Sequence, residues 1–272
     1  MYEDSDSLLV KNLIEKIRKP LSEIEHFFDL RTQAVTNIYL TRSESEFQSY
    51  AQTGFPEWSQ AVALLQQKTI ILRIANGDEL NRVPQVLLHE LVHIILGIKF
   101  PDLDIPTWIH EGIAQKLSNE SLNMDEQVLI ANALFSDRLY ALADLDSMLS
   151  FSSVKARTGY ALSRSAIDFF LDRYTKKDLL DILSQLHRKK SMDQAFSEVT
   201  GRDFVDFQVG WFAYIDEKYK WMILLNTSNL IWLIFIILIV LAYIRVKLKN
   251  KKTIRSWPEQ GIDDIDKQVN HF

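Results

Sequence analysis

Between Lys220 and Arg245 the chain carries no charged side chain. A helix over that interval is roughly 35 Å long, enough to cross the hydrocarbon core of a bilayer. Its heart, LIWLIFIILIVLAYI from Leu230 to Ile244, has no face polar enough to meet water. A soluble fold could take such a run only as a fully buried core helix, so residues 221–244 are read as a transmembrane helix in the lipid bilayer. Trp221 and Tyr243 suit the two interfaces. Arg245, Lys247, Lys249, Lys251, Lys252 and Arg255 follow the span, against Lys218 and Lys220 nearby on the other side. That asymmetry predicts a single pass, with a short, polar, mobile basic tail at 245–272 in the cytoplasm and the folded part outside.

The remaining chain has room for one good-sized domain. Its net charge of −5 supplies no basic field for nucleic acid, which is set aside as a partner. It has no cysteine, so disulfides, thiolate nucleophiles and Cys-based metal sites are excluded, and any metal must be held by His and carboxylate. Oligomeric state leaves no trace in the sequence.

In residues 1–30, Leu9, Leu13, Ile17, Leu21 and Ile24 recur at three-to-four-residue intervals. This predicts an amphipathic helical segment interrupted near Pro20. Glu3, Asp4 and Asp6 crowd the start, where a secretory leader would be basic and then apolar, so no leader is expected there. Three short strands are expected at Val35 to Leu40, Ala61 to Leu65 and Thr69 to Ile74, the last two joined as a hairpin through Gln66, Gln67 and Lys68. From Asn81 to Leu96 the pattern turns helical, with Pro84 in the first turn and Gly97 placed to end it. Helices are expected around 108–119, 123–135, 159–174, 176–188, 191–199 and 202–216. The aromatic stripe through Phe196, Phe204, Phe207, Trp211 and Phe212 reads as core.

The chemistry is concentrated in His89-Glu90-Leu91-Val92-His93. Residues four apart share a helix face, so both imidazoles can bind one ion while Glu90 reaches a water held on it. Zinc in that position would acidify the water and polarise a carbonyl, with Glu90 taking the proton and returning it to the leaving amine. The surrounding helix is apolar nearly all round, and buried imidazoles and a carboxylate would be costly there without a metal to satisfy them. A third ligand is needed. The best candidate is Glu111 in Trp108-Ile109-His110-Glu111-Gly112-Ile113-Ala114, with Asp102 and Asp104 as rival carboxylates and His110 as a further rival or a substrate-side group. Gly112 and Ala114 are small enough to let two helices approach and share an ion. Leu96 and Lys99 stand where a metzincin extension would place its Gly and third His, which excludes that group.

HELVH followed by PTWIHEGIA resembles the gluzincin zinc metallopeptidases, in particular the peptidase MA-like families bearing HExxH and WxxEGxA. VTNIYLTRSESEF, TIILRI, GYALSRSAIDFFLDRY and SMDQAFSEVTGRDFVDFQVGW fall in the order those families show. The resemblance implies an α+β, thermolysin-like zincin domain over residues 31–220, with a small N-terminal sheet and a helical C-terminal lobe, His89, His93 and Glu111 on zinc, and Glu90 as general base. It also implies an edge strand, here Ser59 to Leu65, that pairs with substrate backbone. Tyr160 resembles the tyrosine that related peptidases place on the oxyanion, and a buried structural tyrosine stands beside that reading. Arg164, one turn on, either shares the site or lies solvated. The exopeptidase signature GxMEN of some relatives is missing from the sequence, which favours an endopeptidase.

The expectation is therefore a membrane-anchored zinc peptidase acting on peptide or protein substrates outside the cytoplasmic membrane. The alternatives are a zinc-binding module or chaperone without turnover, and a helical structural protein with an accidental motif.

Overall fold

The computed structural model describes residues 4–31, 35–51, 59–74, 81–136, 139–150, 153–225 and 227–255. The chain divides after Lys220 into two compact units. The first is mostly helical with a small three-stranded sheet, and the second carries one long apolar helix.

Helix α1 (Asp4–Phe27) is continuous through Pro20, where an interruption is expected from the sequence. The carbonyl that the proline leaves without a donor is that of Lys16, an exposed residue, so water can replace the missing bond. Leu13, Ile17, Ile24 and the following Phe28 are buried, and α1 packs on α3 (Val83–Lys99). Lys99 Nζ donates to the Phe28 carbonyl at 2.6 Å, tying the ends of the two helices together.

The sheet consists of β1 (Asn37–Thr41), β2 (Ala61–Leu64) and β3 (Thr69–Arg73), in the order β1-β3-β2. The β2–β3 hairpin forms as its sequence predicts, with Lys68 at φ 47° in the turn. β1 pairs parallel to β3, and α2 (Glu44–Ala51) covers one face by packing Phe47 on Val62 and Ile71. The other face carries Ile70 and Leu72 at period two and meets α3.

α3 starts with Pro in its first turn and buries Leu87, Leu88, Leu91, Val92, Ile94, Ile95 and Leu96. Gly97 does not end it. The helix runs on to Lys99, and Gly97 lies against Leu65, whose side chain a Cβ would meet at 3.8 Å. The chain turns instead at Asp102, φ 58°.

α4 (Thr107–Leu117) begins on Pro106, and the donors of its first turn are met from outside, with Thr107 N–H donating to Asp146 Oδ1 at 2.8 Å. α5 (Met124–Phe135) is opened by a capping box between Asn123 and Glu126. A 3-10 segment (Leu142–Ser150) leads to α6 (Ser153–Arg173), which packs on α4, α5 and α9. Gly112 permits the α4–α6 approach, because a Cβ there would lie 2.5 Å from the Ser163 carbonyl oxygen and 2.6 Å from Ile167. The close contact expected of Gly112 is thus with α6. α7 (Lys176–His187), α8 (Met192–Thr200) and α9 (Phe204–Tyr219) close the first unit. Phe196, Phe207 and Trp211 are buried there as core, and Trp211 Nε1 donates to Ser165 Oγ at 3.0 Å.

A 3-10 segment (Lys220–Leu225) begins at the last residue of the first unit, and α10 (Thr227–Arg255) follows in the second. Among the described residues the stretch long and apolar enough to cross a membrane is Ile231–Lys252, with a mean hydropathy of 2.5, and it overlaps the expected 221–244. The helix carries the basic residues from Arg245 to Arg255 within it, so the first part of the expected mobile tail is helical. Residues 256–272 lie outside the described residues.

Candidate metal centre

α3 sets His89 and His93 one turn apart, and their rings meet edge-on at 4.8 Å. α4, packed beside it, presents Glu111 to both. Glu111 Oε2 lies 3.2 Å from His89 Nε2 and 3.7 Å from His93 Nε2. One donor atom from each residue lies within 4.8 Å of the other two. Tetrahedral zinc at about 2.0–2.1 Å spaces its ligand atoms roughly 3.3 Å apart, so the His89 contact matches an edge of such a site and the His93 contact is somewhat wider. The donor set fits a divalent ion: two imidazole nitrogens and one carboxylate oxygen, half-buried to buried, converge on one small volume.

Glu120 supports this set from the turn after α4. Its Oε1 is 2.7 Å from His89 Nδ1, and Ser118 Oγ donates to the same oxygen at 2.8 Å. A proton held on Nδ1 toward Glu120 leaves the Nε2 lone pair for the ion. Burial alone would lower the His89 pKa. The hydrogen bonds and charges of Glu111 and Glu120 reverse this and hold it well above the ordinary value. Burial likewise works against the Glu120 carboxylate, yet His89, Ser118 and the charge of Arg82 bring its pKa below the usual range. His93 is held well below the ordinary histidine value by burial, reinforced by His110 and His89. Burial thus favours at His93 the neutral form that ligation requires, whereas at His89 the neighbouring carboxylates favour a second proton, whose place on Nε2 an ion would take. His110 stacks on it at 4.1 Å and is also depressed by burial.

Glu90 is buried on the neighbouring face of α3, and its carboxylate accepts a hydrogen bond from the Ala63 main chain. Burial, with the charges of Glu111 and Glu120 adding to it, pushes its pKa up to about 7. Two adjoining hollows of about 250 and 190 Å³ open over the site, and both are lined by Ser59, Ala61, His89, Glu90 and Tyr160. β2 forms one wall and is an edge strand. Arg73 N–H donates to the Gln60 carbonyl at 2.9 Å. Antiparallel alternation then turns the main chains of Val62 and Leu64 to β3 and those of Ala61 and Ala63 away from it.

His89, Glu90, His93 and Glu111 thus lie together, with His110 and Tyr160 on the same cleft. Tyr160 sits in the second turn of α6 rather than at its start, because the helix begins at Ser153. Its hydroxyl is held well above the ordinary tyrosine range by burial and by the nearby carboxylates. Asp102 and Asp104 are exposed on the α3–α4 turn and lie outside the cluster. Arg164 is neither solvated nor directed at the ligands. It binds Asp168 at 3.2 Å and donates to the carbonyls of Gln115 and Glu120, clamping the end of α4. Glu120 escaped sequence reasoning because nothing local distinguishes it. Its partner is 31 residues away, and its only signal is a carboxylate just past the helix that bears Glu111.

Residues 21–217 match the family model described as Peptidase MA superfamily. A Bacillus subtilis (strain 168) protein named Uncharacterized protein YhcO is 22% identical over 224 residues. That similarity covers 76% of this chain and 66% of the relative's length.

Proposed function

The chain belongs to the peptidase MA superfamily, and from that membership we propose that it is a zinc metallopeptidase with a thermolysin-like catalytic domain, anchored in a membrane by α10. The reading is carried by one observation: two imidazoles and a carboxylate from two helices converge within 4.8 Å, and Glu90 lines a cleft walled by an edge strand.

In this reading His89, His93 and Glu111 hold the ion. Zinc bound there supplies Lewis acidity, lowering the pKa of water and polarising a carbonyl. Glu120 fixes the His89 ring. Glu90 takes a proton from water and carries it to the leaving amine, and its burial beside other carboxylates gives it the proton affinity for that role. Tyr160, kept protonated by burial, donates toward the oxygen on which negative charge develops. The outward main-chain groups of Ala61 and the Ala63 carbonyl align substrate backbone as an added strand, while the Ala63 N–H is held by Glu90. Substrates are peptides or proteins outside the cytoplasmic membrane, and the basic residues after Ile244 keep the tail in the cytoplasm.

The test is metal quantitation joined to cleavage of a mixed peptide library by the full chain in detergent, with and without chelator. Expected are one zinc per chain and cleavage that chelator removes and zinc restores. Glu111→Ala should lose the metal. Stoichiometric zinc with no cleavage under any condition would favour a binding module without turnover, and chains purified without metal would end the reading.

A further inference from the structure

The larger hollow extends past the ligands along two helices. α3 lines it at Val86 and His89, with Arg82 at its N-cap, and α6 lines it at Arg157 and Tyr160, in each case about a turn apart. Two arginines therefore stand on the same helix faces as His89 and Tyr160, displaced toward the N-terminal ends. From His89 to Arg82 is seven residues, or roughly 10 Å of helix, the length of about three residues of extended peptide.

Three carboxylates share this hollow, and each is already engaged. Glu90 is bonded to the Ala63 main chain. Glu120 takes His89 Nδ1 and Ser118 Oγ. Glu126 accepts the Asn123 N–H at 2.9 Å in the capping box of α5. Among the described residues neither Arg82 nor Arg157 forms an ion pair or a side-chain hydrogen bond, although Arg164 on the same helix is tied to Asp168. Arg82 is near enough for its charge to act on Glu120, yet both guanidiniums, on exposed residues lining a peptide-sized cleft, are left without a paired carboxylate, and a fork of this kind fits a carboxylate from outside.

Building on the peptidase reading, we propose that this wing of the cleft is a carboxylate subsite. Arg82 and Arg157 select peptides that place an acidic side chain or a free C-terminus within about three residues of the cleaved bond.

The test uses binding, which does not require turnover. Full-length Glu90→Gln chain, loaded with zinc and immobilised in detergent, captures from a pool of random N-acetylated octapeptides, one half amidated and one half with free C-termini. Expected is about tenfold enrichment, equivalent to a tenfold difference in Kd, either of Asp or Glu at one or two positions in the amidated half or of free over amidated termini. The first pattern identifies a side chain and the second a terminus. Adding Arg82→Gln and Arg157→Gln together should erase the enrichment, whereas the double Lys variant should retain part of it, with melting curves showing both folded. Capture without carboxylate preference, preference that survives the double Gln change, or no capture at all overturns the subsite. Preference in capture with no cleavage by the wild type would sustain the subsite and sink the peptidase reading. Cleavage indifferent to carboxylates would do the reverse.

Discussion

α3 and α10 are both helices without a continuous polar stripe, and they meet opposite ends. In α3 ten of seventeen residues are buried. In α10 every side chain from Ile231 to Lys252 is exposed. Apolar faces all round demand a surrounding medium, and protein provides it in one case and lipid in our reading of the other. The exceptions to the pattern carry the lesson. The only ionisable groups in the buried middle of α3 are His89, Glu90 and His93, and all three belong to the site. α10 has no charge between its first residue and Arg245, so nothing in its middle needs a partner.

If the polar exceptions in α3 are functional, removing one should cost activity and little else. Glu90→Gln should lower hydrolysis by about 10²–10⁴-fold, the usual contribution of a general base, with zinc content unchanged by elemental analysis. Wild-type rates in that variant would break the comparison at its centre. If the apolar majority of α3 is core, Leu87→Ala should destabilise the protein by about 2–5 kcal/mol, read as a lowered melting temperature. Leu238→Ala in α10 should leave that transition where it is. In α10 a charge is opposed by lipid, so Leu238→Arg should disfavour insertion by about 2.5–3.5 kcal/mol, seen as a shift of the full chain from membrane to soluble or degraded fractions. Gly112→Ala puts a methyl group into the Ser163 carbonyl and should cost about 1–3 kcal/mol, read in the same melting experiment. The smallest effect sharpens the picture around His89. Glu120→Gln should weaken zinc binding by about 10–100-fold, measured by competition with a chelator of known affinity.

Much of this was legible because periodicity and spacing are local. His89 and His93 declare a shared face by their separation, and Glu111 stands out because it lies in the first turns of the next helix. The hairpin of β2 and β3 follows from branched residues around a polar turn. What sequence reasoning misplaced depends on context. Pro20 stays within a helix because packing on α3 holds the chain while the freed carbonyl belongs to Lys16, an exposed residue open to water. Gly97 reads as a stop but is held helical, lying against Leu65. Tyr160 reads as a helix start only if Gly159 is taken as a breaker, whereas a buried α6 accepts that glycine in its interior. Glu120, Arg82 and Arg157 were invisible because their meaning arises from neighbours brought close only by the fold.

The clamp of Arg164 on the carbonyls of Gln115 and Glu120 makes α4 and its terminal turn a single rigid piece. That piece contributes Glu111 to one nitrogen of His89 and Glu120 to the other, so α3 is gripped from two directions by one body. An ion seated between them would act as a staple across the α3–α4 seam, and loading it and locking that seam would be a single equilibrium. Amide hydrogens on the facing turns of both helices should then exchange in concert, slowing together when zinc is added and quickening together when it is stripped.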